Sequence, residues 1–124
     1  MSRKIEFRAW DNVNLMMLDI PFVVSDEGKV YLEYVGGGRP ENIILMQFTN
    51  FQDAKGIKIY EGDIIENDSE FWSVEYIEYL SRWEAVSING DVDVTLCEVI
   101  GKETFVVGNI YENPELLKNE TNRD

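Results

Sequence analysis

Turn-forming residues interrupt this chain so often that it has no room for long helices. The breaks are Asp11-Asn12-Val13-Asn14, Ser25-Asp26-Glu27-Gly28-Lys29, Gly36-Gly37-Gly38-Arg39-Pro40, Asp53-Ala54-Lys55-Gly56, Glu61-Gly62-Asp63, Asn67-Asp68-Ser69-Glu70, Leu80-Ser81-Arg82 and Asn89-Gly90. Asn, Asp and Gly tolerate left-handed backbone, and Asn and Asp side chains bond their own backbone, so these clusters read as reversals, with Leu80-Ser81-Arg82 as the bend between two strand-like runs. The runs between them favour strands. Ile5-Glu6-Phe7-Arg8-Ala9 alternates apolar and charged residues, Ile43 to Phe48 is a compact apolar run, and Phe71 to Tyr79 is rich in aromatic and β-branched residues. Roughly eight to ten short strands at close spacing predict an all-β barrel or roll.

Hairpins are expected from Ile5–Ala9 with Leu15–Leu18, and from Phe22–Val24 with Val30–Tyr34. Ile57–Tyr60, Ile64–Ile65, Trp83–Ile88 and Thr104–Tyr111 supply further strands. The Gly36–Pro40 break divides an N-terminal β part, about residues 1–40, from a barrel-like part at about 41–118, followed by a polar tail at 119–124. No linker separates independent domains, and 124 residues suffice for one core. Val92–Ile100 is ambiguous between strand and helix: it alternates like a strand near Val92 and Val94, while Leu96–Ile100 reads equally as one or two turns of helix. Asn113-Pro114-Glu115-Leu116-Leu117-Lys118 predicts a short terminal helix, with Asn113 as N-cap and Pro114 at the first position.

Composition removes several chemistries. The chain has no histidine and one cysteine, Cys97. A Ser-His-Asp or Cys-His nucleophile, a histidine metal ligand, an internal disulfide and a cysteine-rich zinc site are therefore unavailable. Cys97, between Leu96 and Glu98, is expected to be a small buried hydrophobe, and Met16-Met17 to be core packing. No catalytic residue and no cofactor follow from the residues.

Twenty-four acids against eleven bases give a net charge of −13. The charge is uneven: residues 1–62 hold nine acids and seven bases, residues 63–124 fifteen acids and four bases. From Glu61 to Glu98 there are eleven acids and one base, Arg82. Such a field repels nucleic acid and anionic membranes. No apolar run approaches bilayer-spanning length, and Met1–Phe7 lacks a signal-peptide core, so a cytoplasmic location is expected.

Two constellations remain. Asp63, Glu66, Asp68 and Glu70, with the Asp91/Asp93 pair, are candidate ligands for a hard cation in a metal-dependent hydrolase, although a solvated acidic face accounts for them as simply. Trp72, Tyr76, Tyr79 and Trp83 crowd the middle of the chain. Alternation gives Trp72, Val74 and Tyr76 one face and Phe71, Glu75 and Tyr79 the other. Trp72 is expected in the core, with Tyr79 and Trp83 left open between core and surface. The candidate interaction surface is Glu70, Glu75, Glu78, Tyr79, Trp83, Glu84, Asp91 and Asp93.

Three blocks, Lys4–Asp11, Leu45–Thr49 with Lys55–Ile65, and Val107–Leu117, resemble in order and spacing the YopX-like family of phage and prophage proteins. Phe71–Thr104 is the variable middle. The resemblance implies a β-rich fold with an SH3-like barrel in the C-terminal half and a phage or prophage protein in a bacterial cytoplasm. It carries over no catalytic residue. The expected function is an accessory role through protein–protein contact, with another protein or as a homo-oligomer. The alternatives are an acidic decoy that imitates nucleic acid to occupy a basic host protein, and the carboxylate-metal hydrolase.

Overall fold

A computed structural model describes residues 3–32, 42–89 and 92–117. The Gly36–Pro40 break, Gly90, Asp91 and the tail lie outside the described residues. An N-terminal sheet runs in the order β2-β1-β5-β6, from β1 (Phe7–Asp11), β2 (Met16–Met17), β5 (Ile43–Gln52) and β6 (Lys58–Tyr60). β3 (Phe22–Val24) and β4 (Val30–Leu32) form a separate two-stranded ribbon. The second sheet has five strands: β7 (Asp63–Asn67), β8 (Glu70–Ile77), β9 (Arg82–Ser87), β10 (Asp93–Thr95) and β11 (Thr104–Asn109). Its order is β10-β9-β8-β7-β11, all antiparallel. A three-connection meander whose fifth strand returns beside the first, after one turn of helix, is the SH3-like order, here curled into a half-barrel.

The first hairpin turns where the Asp11 carboxylate accepts the Val13 and Asn14 backbone N–H groups and the Asn14 side-chain amide, at 2.8–3.0 Å. Met16-Met17 sits at the sheet edge, and Met16 is exposed rather than core, because an edge strand has a neighbour on one side only. Residues 92–100 take both expected forms in turn: β10, then α1 (Leu96–Val99). Leu96 and Val99 are three apart, share one helical face, and are buried. Cys97 and Glu98 fall off that face, so Cys97 is exposed, against expectation.

Cross-strand register explains the barrel core. Val74 lies opposite Ala85 and Ala85 opposite Val94, while Ile65 lies opposite Trp72 and Val106. These rows share the inner face, where Ile59 from β6 and Leu96 and Val99 from α1 complete the cluster. Trp72 packs against it as expected. Burying each large aliphatic there stabilises the fold by roughly 1.5–3 kcal/mol. Ile64 and Ile65 point to opposite faces yet both are fully buried, so β7 is covered on both sides.

The terminal helix is a 3-10 turn at Pro114–Leu117, and the Asn113 carbonyl accepts the Leu116 N–H. Asn113 Oδ1 accepts the Asn109 N–H at 3.1 Å, while Asn109 Oδ1 accepts from the Tyr111 and Glu112 backbones. Gly108 makes this return possible, since a Cβ there would lie 2.5 Å from Asn113 Oδ1 and 2.7 Å from its Cγ. Gly108→Ala is expected to lower stability by about 1–3 kcal/mol, the usual cost of overpacking. A thermal melt checks it, and an unchanged Tm would show that Asn113 can move aside freely.

Candidate interaction surface

Buried polar groups and exposed aromatics mark two places on the fold. The first is the junction of the two sheets. Arg8 of β1 places its guanidinium 2.7 Å from Asp63 at the start of β7, over the Tyr60 ring at 4.9 Å, and donates to the Glu61 carbonyl. Asp63 is 1% exposed and also accepts the Tyr60 N–H at 2.7 Å. Burial pushes its carboxyl upward, opposed by Arg8 and that N–H. Burial likewise raises Glu61, partly offset by the Gln47 N–H, and raises Tyr111 together with the nearby Glu61 charge. Gly62 adopts φ +88° between them, and a Cβ there would meet Met46 Sδ at 3.1 Å. Both carboxylates that flank Gly62 are engaged by protein groups, and the arrangement ties β1 to β7. Its role is anchorage.

The second place is the β8–β9 connection. β8 ends at Ile77, one 3-10 turn follows at Glu78–Leu80, and Ser81 reverses the chain at φ +51°. The Ser81 N–H and hydroxyl both donate to the Glu78 carbonyl, which holds the tip. Tyr79 on that turn is 86% exposed, with Tyr76 and Leu80 exposed beside it. Tyr76 lies opposite Trp83 in register, and their rings meet edge-on at 5.1 Å. Trp83 is half-buried and packs against the barrel core as well as against Tyr76.

The structure gathers only part of the expected surface here. Glu78 and Tyr79 lie on the tip and Trp83 at the start of β9 just after it, and Glu75 sits next to it on the opposite face of β8, accepting the Ser73 hydroxyl. Glu70 begins β8 opposite Asn67, about 20 Å away along the strand at ~3.4 Å per residue. Asp93 is exposed on edge strand β10 opposite Val86, and Asp91 lies outside the described residues. Glu84 must be removed from the surface. It is 1% exposed and bonded to Arg82 Nε at 2.6 Å. β9 has a strand on each side, so Glu75 and Thr95 flank Glu84 in register and shield it.

Among the described residues, the carboxylates read as metal candidates do not converge. Asp63 is paired with Arg8, Asp68 and Glu70 are exposed, and Asp93 is three strands from β7, roughly 14 Å at ~4.8 Å per strand. Among the described residues no three His, Cys, Asp or Glu side chains are grouped to hold a metal ion. Among them, too, no helix is long and apolar enough to cross a membrane.

These features define an all-β protein with an SH3-like half-barrel and an exposed aromatic tip. The model of the family described as YopX protein matches residues 6–118, and the chain belongs to that family. The crystal structure of protein EF1440 from Enterococcus faecalis superposes with a TM-score of 0.68 at 24% identity, covering 94% of this chain and 100% of that one. The crystal structure of protein yopX from Bacillus subtilis gives 0.57 at 19% identity, covering 91% and 95%. At these identities the two structures speak to the fold. No curated protein matches.

Proposed function

We propose that this protein is a non-catalytic accessory protein of a phage or prophage, acting in the bacterial cytoplasm through protein–protein contact at the β8–β9 tip. The observation that carries the reading is Tyr79, 86% exposed on a turn closed by hydrogen bonds from Ser81 to the Glu78 carbonyl, with the Tyr76–Trp83 ring pair on the strand ends that lead into it. Exposing large aromatics to water is unfavourable, and rigid aromatics with few rotatable bonds are what interfaces use as anchors. Family membership supports an accessory role.

A photo-crosslinking amino acid placed at Tyr79, in cells that make the protein, should give a discrete adduct with a partner or a second copy. The same probe at exposed Glu103 should not. No adduct from position 79, together with a strict monomer by light scattering, would overturn the reading. The decoy alternative draws on the exposed acids instead. It expects Glu70→Gln, Glu75→Gln, Glu78→Gln and Asp93→Asn together to abolish the adduct while Tyr79→Ser spares it. The hydrolase alternative expects millimolar Mg²⁺, Mn²⁺ or Ca²⁺ to raise the melting temperature.

A further inference from the structure

Resting on the reading that the β8–β9 tip is the contact surface, we infer that its partner presents a cationic segment, with arginine or lysine side chains laid across Tyr76 and Tyr79. The hairpin from Glu70 to Ser87 carries four glutamates and one arginine. Arg82 is spent on Glu84 at 2.6 Å, so the charges it leaves unneutralised, Glu70, Glu75 and Glu78, are all negative. Glu78 lies within the tip, and Glu75 adjoins it on the reverse face of the strand. Over this hairpin the field of the acid-rich second half of the chain adds in the same sense.

An aromatic surface in a negative field is a receptor for cations. Tyrosine and tryptophan faces attract guanidinium and ammonium groups, and an arginine stacked there can also reach a carboxylate with a pair of N–H donors. Arginine is the better fit of the two, since its guanidinium is planar and weakly hydrated. A second copy of this chain fits poorly at the same place. Joining two tips would bring Glu78 of each against the other, in a protein of net charge −13. Nucleic acid is repelled for the same reason. Tyr76 is fixed before any partner arrives, because Trp83 holds its ring edge-on at 5.1 Å, so little side-chain ordering is lost on docking.

The probe is a short Arg-Leu-Arg peptide, titrated into the full ¹⁵N-labelled chain, with a Glu-Leu-Glu peptide as control. Amide shifts are expected to centre on residues 76–83 with the arginine peptide and to be absent with the control. Tyr79→Ser, which leaves the charge unchanged, should weaken binding at least tenfold, as should raising NaCl from 50 to 500 mM. Tyr79 is exposed enough that the variant keeps the fold, and a melt alongside verifies this. Binding of equal strength in Tyr79→Ser, shifts scattered over all the acids, or no binding each overturn the inference. A Tyr79 adduct in cells alongside any of these results would leave the contact surface standing and remove only its cationic partner. Absence of the adduct together with a strict monomer removes both.

Discussion

Replacing Arg8 with methionine is expected to lower stability by about 3–5 kcal/mol, the largest effect of any single change outside the apolar core. The change leaves the Asp63 carboxylate buried with no cation beside it, and breaking one half of a buried pair costs that much because the remaining charge is uncompensated. Methionine keeps much of the stem volume, so the loss reports charge rather than a cavity. The Tyr60 ring also loses its stacked guanidinium. Asp63 already has its folded pKa above the ordinary 3.8, because burial outweighs Arg8 and the Tyr60 N–H. A carboxyl raised in this way binds its proton more tightly when folded. Its contribution is therefore complete below the unfolded pKa and lost as pH rises through the folded one. Without Arg8 the folded pKa climbs further. The deficit of Arg8→Met against the parent chain should thus be greatest near neutral pH and shrink as pH falls toward 4. Urea melts at a series of pH values measure it. Adding Asp63→Asn to Arg8→Met should recover part of the loss by removing the stranded charge. A deficit independent of pH, or no recovery, would show that the pair holds the two sheets by shape alone.

Asp53→Ala should be the next most damaging, at about 2–4 kcal/mol. Asp53 is buried, and its two oxygens accept three backbone N–H groups: Lys55 and Ile57 in the β5–β6 turn, and Val106 on β11. Bonds to a charged acceptor contribute about 1.5–3 kcal/mol each, and removing the acceptor takes the protein partner from all three donors at once. The Val106 bond matters most. β11 is an edge strand, and the Asp53–Ala54 turn covers its free side, with the Ala54 N–H donating to the Thr104 carbonyl. Losing Asp53 opens that edge to pairing with other chains, so Asp53→Ala should also aggregate more readily on heating. Its pH signature has the opposite sign to that of Asp63. Burial pushes Asp53 up, but the Val106, Ile57 and Lys55 N–H groups together hold it below the ordinary value. A depressed carboxyl stabilises the fold above the unfolded pKa of about 3.8 and loses that contribution as pH falls through the folded one. The parent chain should therefore lose this contribution below about pH 4, and Asp53→Ala, which lacks it, should lose less stability there. Parallel acid titrations of the two would reveal equal slopes if the carboxylate were not ionised in the fold.

What could be read from the residues was whatever depends on near neighbours in the chain. Asp11 and Asp53 signalled turns because their side chains reach backbone two to four residues ahead, and both turns are present. The strand runs from Ile43, Phe71, Trp83 and Thr104 are present as well, with bounds shifted by a few residues at most. Leu96 and Val99 carried a helical spacing within a strand-like segment, and the fold used both readings in succession. Trp72 belonged to the face with Val74, as alternation required.

The site was less legible, because exposure is a property of what packs above a residue and not of the residue. Glu84 and Glu75 look alike in the sequence. One is enclosed in a central strand with Arg82 bonded to it, and the other is open. Arg82, the one base in the acidic stretch, therefore neutralises a buried partner. Tyr79 and Trp83 were equally ambiguous until the 3-10 turn carried one outward and the β9 register turned the other onto the core. Arg8 and Asp63 are separated by more than fifty residues, and no local pattern pairs them. Local sequence, acting through backbone chemistry, thus determined the turns, the strands and the all-β class. Tertiary structure alone decided which charges are buried and paired and which aromatics meet water, because both depend on long-range packing that brings β1 against β7 and closes β8 on β9.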